Sequence, residues 1–409
     1  MHRHILVAAT SIATTTLFLG ACAKKEAPPP PPPVVEEAKP AAPAGADPAK
    51  FLTQPLVSEI FSADPSAHVF NGKIYVYPSH DFDSGIPSDD LGNQYAMKDY
   101  QVLSMDSIGG AVTVNPVALD IKDVPWAKEK MWAPDAAEKG GKYYLYFPVH
   151  DKQDVFRIGA AVGDSPVGPF KAQPEPIKNS FSMDPAVFKD DDGKYYMYFG
   201  GLWGGQLQHW KTGKHTPQDD TQPADDKPAL LPKVARLDGS MVEFAEKPRD
   251  VKILDENGKL LLSGDHDRRF FEASWMHKYK GNYYFSYSTG DTHFISYAMG
   301  KSPYGPFTYK GHLLMPVLGW TNHHSIVEVG GKWYLFYHDT QISNGVNHLR
   351  NVKQPIELTY NEDGTIQPVD AYLGDSIGAD AHAKWVDESA APAPAAAPEP
   401  AAAPAPGTN

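Results

Sequence analysis

Asp184-Pro185-Ala186-Val187-Phe188-Lys189-Asp190-Asp191-Asp192-Gly193-Lys194-Tyr195-Tyr196-Met197-Tyr198 is the stretch whose reading decides the fold. A polar residue opens it, a short apolar run follows, a Gly-containing turn reverses the chain, and a Tyr-rich strand runs back. Glycine supplies the backbone freedom a tight hairpin turn needs, and β-branched and aromatic residues suit a pleated surface. The pattern recurs four more times. It runs from Asp64 through Gly72-Lys73-Ile74-Tyr75-Val76-Tyr77, and from Asp135 through Gly141-Lys142-Tyr143-Tyr144-Leu145-Tyr146-Phe147. It runs again from Glu272 through Gly281-Asn282-Tyr283-Tyr284-Phe285, and from His323 through Gly331-Lys332-Trp333-Tyr334-Leu335-Phe336. Two repeats continue alike, Ile158-Gly159-Ala160-Ala161 to Gly168-Pro169-Phe170 and Ile295-Ser296-Tyr297-Ala298 to Gly305-Pro306-Phe307, which adds a third and a fourth strand. No long window has a helical period. Self-similarity at such spacings marks a repeat architecture, and five repeats of about four strands give an all-β fold, the five-bladed β-propeller.

The repeats occupy residues 51–387, which is 337 of the 409 residues. Before them, Met1-His2-Arg3-His4 and the apolar run Ile5–Leu19 read as a signal peptide over 1–21, too short to span a bilayer. Leu19-Gly20-Ala21-Cys22 resembles the bacterial lipoprotein signal, and Cys22 is the only cysteine in the chain. That resemblance implies lipid attachment at Cys22, a membrane partner, and a place on the bacterial cell envelope, on the periplasmic or outer-membrane side. Residues 22–50 would be a Pro/Ala-rich tether in extended form, and 388–409 an Ala/Pro tail too poor in apolar residues to pack. A single cysteine excludes a disulfide framework and any Cys-rich metal site. The net charge of −13 excludes a nucleic-acid partner, because polyanion binding needs a basic face.

In a propeller the first strand of each blade lines the central channel, so the residues opening the repeats converge there. They are Asp64, Asp135, Asp184, Glu272 and His323, six to nine residues ahead of their anchoring glycines. Asp64 and Asp184 each precede a proline, which biases them toward extended backbone. Crowded carboxylates repel one another and hold protons to higher pH. Two carboxyl groups facing one cavity, one protonated and one ionised, are the minimal machinery for hydrolysing a glycosidic bond.

At these residues the chain resembles glycoside hydrolase family 43. The motifs are Ala63-Asp64-Pro65, Trp132-Ala133-Pro134-Asp135, Met183-Asp184-Pro185, Phe271-Glu272-Ala273 and His323-His324-Ser325-Ile326-Val327, in order and in phase over nearly the whole core. The resemblance implies an inverting hydrolase of arabinose- or xylose-containing plant polysaccharides and oligosaccharides. Asp64 would be the general base, Asp184 the acid that tunes and orients the donor, and Glu272 the general acid. A calcium ion, or a water, would sit in the channel near His323, with His324 competing for the inward position, and no organic cofactor is implied. Trp132 and Asp135 would border the sugar. His80, which with Asp81 closes the first hairpin and could reach the cavity, Trp203, in a Gly-rich turn, and Arg350, after the fifth hairpin, are further candidates for substrate contact. Inversion needs room for water, so the carboxyls of Asp64 and Glu272 should stand about 6.5–9.5 Å apart.

The leading reading is a β-xylosidase or α-L-arabinofuranosidase. Alternatives are an endo-arabinanase and a carbohydrate-binding propeller without catalysis. Two polar insertions, residues 82–100 and 204–229, interrupt the repeat and either rim the pocket or decorate the outside.

Overall fold

The computed structural model describes residues 45–320 and 322–373; the signal segment, Cys22, most of the tether and the tail lie outside the described residues. Each Gly-anchored hairpin forms the inner half of one sheet. The pairs are Phe61–Phe70 with Lys73–Asp81, Asp135–Lys139 with Lys142–Asp151, Ala186–Lys189 with Tyr195–Phe199, Glu272–Tyr279 with Asn282–Ser288, and His324–Val329 with Lys332–Asp339. The five anchoring glycines all have φ between +75° and +83°, the left-handed region a side chain avoids. Outer strands complete sheets of four or five strands, five sheets in all. The inner strands touch one another in chain order, and the last touches the first, which closes the ring. The fold is therefore a five-bladed β-propeller. Helical structure among the described residues is limited to short 3₁₀ turns.

The Tyr-rich second strands are buried on both faces because a neighbouring blade covers each side. Tyrosine rather than phenylalanine at one register has a visible cause. Tyr77, Tyr146 and Tyr198 each lie five residues past their glycine, are at most 1% exposed, and donate through the hydroxyl to a carbonyl of the next blade. The acceptors are Pro166, Met241 and Pro303, at 2.6, 2.9 and 2.5 Å. A buried phenol must find a partner, and here the partner ties blade to blade.

The ring is sealed between its last and first blades. The segment from Gly45 onward, starting before the expected boundary at 51, crosses to the fifth blade: Ala46 N–H donates to Gln341 O, Phe51 bridges Tyr372, Leu56 N–H donates to Val352 O, and Pro55 bridges Lys353. Beneath it Lys353 and Asp339, both fully buried, pair at 3.0 Å.

Strand register refines the phase of the channel residues. Measured from the strand pairing, Asp64, Asp184 and His323 stand at the same position, two residues before Ser66, Ala186 and Ser325. Glu272 stands one residue earlier, and a bulge with Ala273 at φ +60° absorbs the offset. Asp135 stands two residues later, level with Ser66, so it lies farther down the channel.

Candidate active site

The site occupies the end of the channel where the inner strands begin. Asp64 and Asp184 have φ of +49° and +55°. In the first blade the pairing slips between Ala63 and Ser66, placing Asp64 in a bulge. Left-handed backbone is costly for a residue with a side chain, and surrounding contacts must hold it. His338 does so for Asp64, accepting its backbone N–H at Nδ1 (2.9 Å).

Asp64 is 5% exposed and surrounded by donors. Arg350 reaches Oδ1 through Nη1 at 3.2 Å and Oδ2 through Nη2 at 3.3 Å, Ser79 Oγ donates to Oδ2 at 2.6 Å, and His323 Nδ1 stands 3.5 Å from Oδ1. Burial opposes the charge on this carboxyl, but Arg350, then His323 and His338, then the Ser79 hydroxyl outweigh it and hold the pKa down at about 2. Arg350 is itself fixed by Asp81, which accepts from Nε at 2.8 Å, from Nη2 at 2.9 Å and from the backbone N–H at 3.0 Å. Of five guanidinium hydrogens, the two aspartates take four. Expected to touch substrate, Arg350 chiefly clamps a carboxylate in the ionised state.

Asp184 has no such cation. Its Oδ2 accepts the Ala273 N–H at 2.8 Å, one residue beyond Glu272. Burial raises its pKa well above the usual carboxylate range, and the charges of Glu272 and Asp64 push it further. The three carboxyl groups, each 4–6% exposed, thus lie close enough to act on one another's charge. Asp184 therefore keeps its proton to higher pH than an ordinary carboxyl, with the charge of Glu272 the next cause after burial. The bulge that displaces Glu272 by one residue also presents the Ala273 N–H to Asp184, which joins the two.

The remaining sequence candidates fall in different places. His323 sits in the register of Asp64 and faces it, with burial lowering its pKa to about 4. His324 points sideways, its Nε2 2.6 Å from Ser286 Oγ, which settles their competition by strand alternation. Trp203 stacks on Trp320 with centroids 5.6 Å apart and meets Phe271, the residue before Glu272, edge-on at 5.1 Å. Trp132 is 8% exposed, donates Nε1 to Tyr95 O at 2.7 Å and lies 4.6 Å from the Phe156 ring; it is a wall residue under the first insertion. His80, partly exposed, pairs with Asp99 at 2.6 Å. Asp135 does not border the pocket. It is fully buried, with Oδ1 2.6 Å from His68 Nε2 and Oδ2 accepting the Val187 N–H, because its register carries it below the cavity.

Asp81, named with His80 at the close of the first hairpin, reaches the site through Arg350, whereas three neighbours of the site are absent from the sequence reading: Ser79, His338 and Tyr95. Ser79 and His338 both stand seven residues past an anchoring glycine, a signal that extending the repeat phase to the far end of each hairpin would have exposed. Tyr95 has no repeat signal, because it lies in the 82–100 insertion. Its ring covers the Arg350 guanidinium at 4.7 Å.

A channel cation can be judged on donors. Calcium takes six to eight oxygens, and His323 offers one imidazole nitrogen beside an Asp64 already clamped by Arg350. The residues fit only an ion carried mostly by water. The one group of three ligating side chains among the described residues is Glu129, His150 and Asp154 on the second blade, and Lys128 already bonds Asp154 and stands 3.9 Å from Glu129.

A propeller whose inner strands gather a clamped carboxylate, Asp64, beside two further buried carboxyls, Asp184 and Glu272, has the makings of a carboxylate-dependent glycosidase. The chain belongs to glycosyl hydrolase family 43, whose family model matches residues 53–366. It is 57% identical over 322 residues to xylosidase/arabinosidase 43A of Humicola insolens, covering 76% of this chain and 98% of that protein. It is 55% identical to a xylosidase/arabinosidase of Bacteroides ovatus, covering 76% and 95%. Among solved structures, a β-xylosidase/α-arabinofuranosidase from a compost microbial metagenome, in complex with xylotriose and in calcium-free form, is 61% identical with a TM-score of 0.78, covering 81% of this chain and all of that one.

Proposed function

We propose that this protein is an inverting glycosidase that removes β-xylosyl or α-L-arabinofuranosyl units from xylan- or arabinan-derived oligosaccharides. One observation carries the reading: Asp64, clamped by Arg350, and Asp184, bonded to the amide next to Glu272, lie close enough to feel each other's charge while their neighbours push their protonation in opposite directions. Asp64 takes a proton from the attacking water. Glu272 gives its proton to the leaving oxygen, while Asp184, whose Oδ2 accepts the Ala273 N–H, orients and tunes that donor through the carboxyl repulsion the two share. After turnover Glu272 is ionised and Asp64 protonated, and exchange with solvent restores both. The names of the curated relatives support the sugar assignment. A pure sugar-binding module has no use for this split of ionisation states.

A panel of p-nitrophenyl xylosides, arabinofuranosides and galactosides tests the reading. Release of the inverted anomer, followed by proton NMR, is the expected result; turnover on none of them, or retention, overturns it. A structure described as calcium-free supports a divalent cation bound near His323, which would add positive charge beside Asp64. A chelator should then lower the rate and added calcium restore it. The Leu19–Cys22 motif supports a lipid-anchored enzyme on the cell envelope; Cys22→Ser should release it from membranes, and unchanged membrane retention counts against the anchor.

A further inference from the structure

The insertion that follows the first blade's hairpin is built into the pocket. Inside the loop, Ser84 Oγ donates to Gln94 O, and Asp89 Oδ1 accepts from the N–H groups of Leu91 and Asn93. Outside it, the loop is fastened to three other blades. Lys130 Nζ donates to Leu91 O at 3.0 Å and Trp132 Nε1 to Tyr95 O at 2.7 Å, both from the second blade. The Leu91 carbonyl is pressed against Gly204 of the third, where even a Cβ would stand 2.8 Å from it. Tyr95 lies on Arg350 of the fifth. Gly92, at φ +65°, seats the turn directly on the Trp132 ring, leaving no room for a side chain. A loop so braced does not need apolar side chains on its outer face, yet Ile86 and Leu91 are 40% and 55% exposed there.

Position gives these side chains a use. Leu91 abuts Gly204, the neighbour of Trp203, and Trp203 packs on Phe271, the neighbour of Glu272. Glu272 is the residue that would protonate the leaving oxygen, and this run of contacts joins its strand to the loop that carries Leu91. Pyranose rings present C–H faces that lose little by leaving water and gain contact with apolar surface. We propose that the 82–100 insertion is the acceptor platform of this enzyme: Ile86 and Leu91 hold the sugars beyond the first leaving unit, and Tyr95 fastens the loop to Arg350. The assignment rests on the glycosidase reading above.

The test uses the full-length protein with Ile86→Asn and Leu91→Asn combined, and compares kcat/KM on xylobiose, which stops at the first leaving sugar, with xylotetraose. The expected result is a roughly tenfold loss on xylotetraose, the size of a lost apolar contact, with xylobiose changed by less than about twofold. Val117→Asn, an equally exposed apolar side chain elsewhere in the first blade, should change neither. Equal losses on both substrates, or none on xylotetraose, overturn the platform. Calorimetric binding of xylotetraose to Glu272→Gln, with and without the two platform changes, decides the same question without turnover. Should the unmodified protein bind the sugar but cleave nothing, the glycosidase reading fails while the platform is still measured.

Discussion

Asp64 and Asp184 make a controlled comparison within one molecule. They occupy the same register of two blades, both precede proline, both sit in left-handed backbone, and both are buried. Yet one is pulled down to about 2 and the other is pushed well above the ordinary value. Burial acts the same way on both, so it does not explain the difference. The neighbours do: Arg350, two imidazoles and a hydroxyl on one side, two carboxyl groups on the other. Rotational repetition supplies equivalent scaffolds, and the individual side chains around each aspartate set its charge.

The largest effect should come from removing the acid side of the comparison. Glu272→Gln keeps shape and loses the transferable proton. General acid catalysis contributes about 10²–10⁴-fold, so kcat on xylobiose should fall by about that much. An aryl glycoside whose leaving group departs without protonation should lose far less. Equal losses on both substrates would mean that Glu272 does not donate the proton.

Next in size is the cation. Arg350→Met leaves Asp64 and Asp81 buried without their counter-charge. Asp64 must be ionised to act as base, so activity falls as pH drops through its pKa. With the clamp gone, burial dominates and that acid limb moves to higher pH. The same logic applies to stability: a depressed folded-state pKa stabilises the fold above the unfolded value of 3.8 and loses that contribution between there and about 2. Since truncating one partner of a buried ion pair costs about 3–5 kcal/mol, Arg350→Lys is the companion variant; it keeps the charge, loses the forked geometry, and should show a smaller displacement of the limb. An acid limb unmoved in a folded Arg350→Met protein would break the comparison.

Asp184→Asn probes the opposite limb. The repulsion within the acid pair is mutual, so neutralising Asp184 lets Glu272 give up its proton at lower pH. The basic limb of the rate profile should move down, with the acid limb unchanged. A basic limb that stays in place would show that Asp184 has only a structural part.

How much of this was legible follows from where each residue lies relative to the repeat. The five Gly-Lys-Tyr-type turns announce the blades because hairpin geometry is local, and Asp64, Asp184 and His323 are readable as inward because they share one phase. Glu272 and Asp135 show the limit of that phase. The glycines are separated from the opening residues by six to nine positions, and a bulge or a longer turn changes the face a residue meets. Residues 190–194 form a longer turn than Asn71-Gly72, so Asp184 and Asp64 share a register although they stand nine and eight residues ahead of their glycines. Arg350, Asp81 and Tyr95 act through contacts between the first and last parts of the ring, or from an insertion, and no local pattern encodes such meetings.

The finest distinction between the two aspartates is a single hydroxyl. Ser79 stands seven residues past Gly72 and donates to Asp64 at 2.6 Å; the same position past Gly193 is Gly200, which has none to offer Asp184. Ser79 is fully buried, so Ser79→Ala removes one donor to a charged acceptor without admitting much water, at a cost of about 1.5–3 kcal/mol for such a bond. It is the last of the influences holding Asp64 down, behind Arg350 and both histidines. The acid limb should therefore rise by less than in Arg350→Met, with kcat at neutral pH nearly unchanged because Asp64 stays ionised there. A displacement as large as that in Arg350→Met would mean that the hydroxyl, rather than the guanidinium, sets the charge of the base.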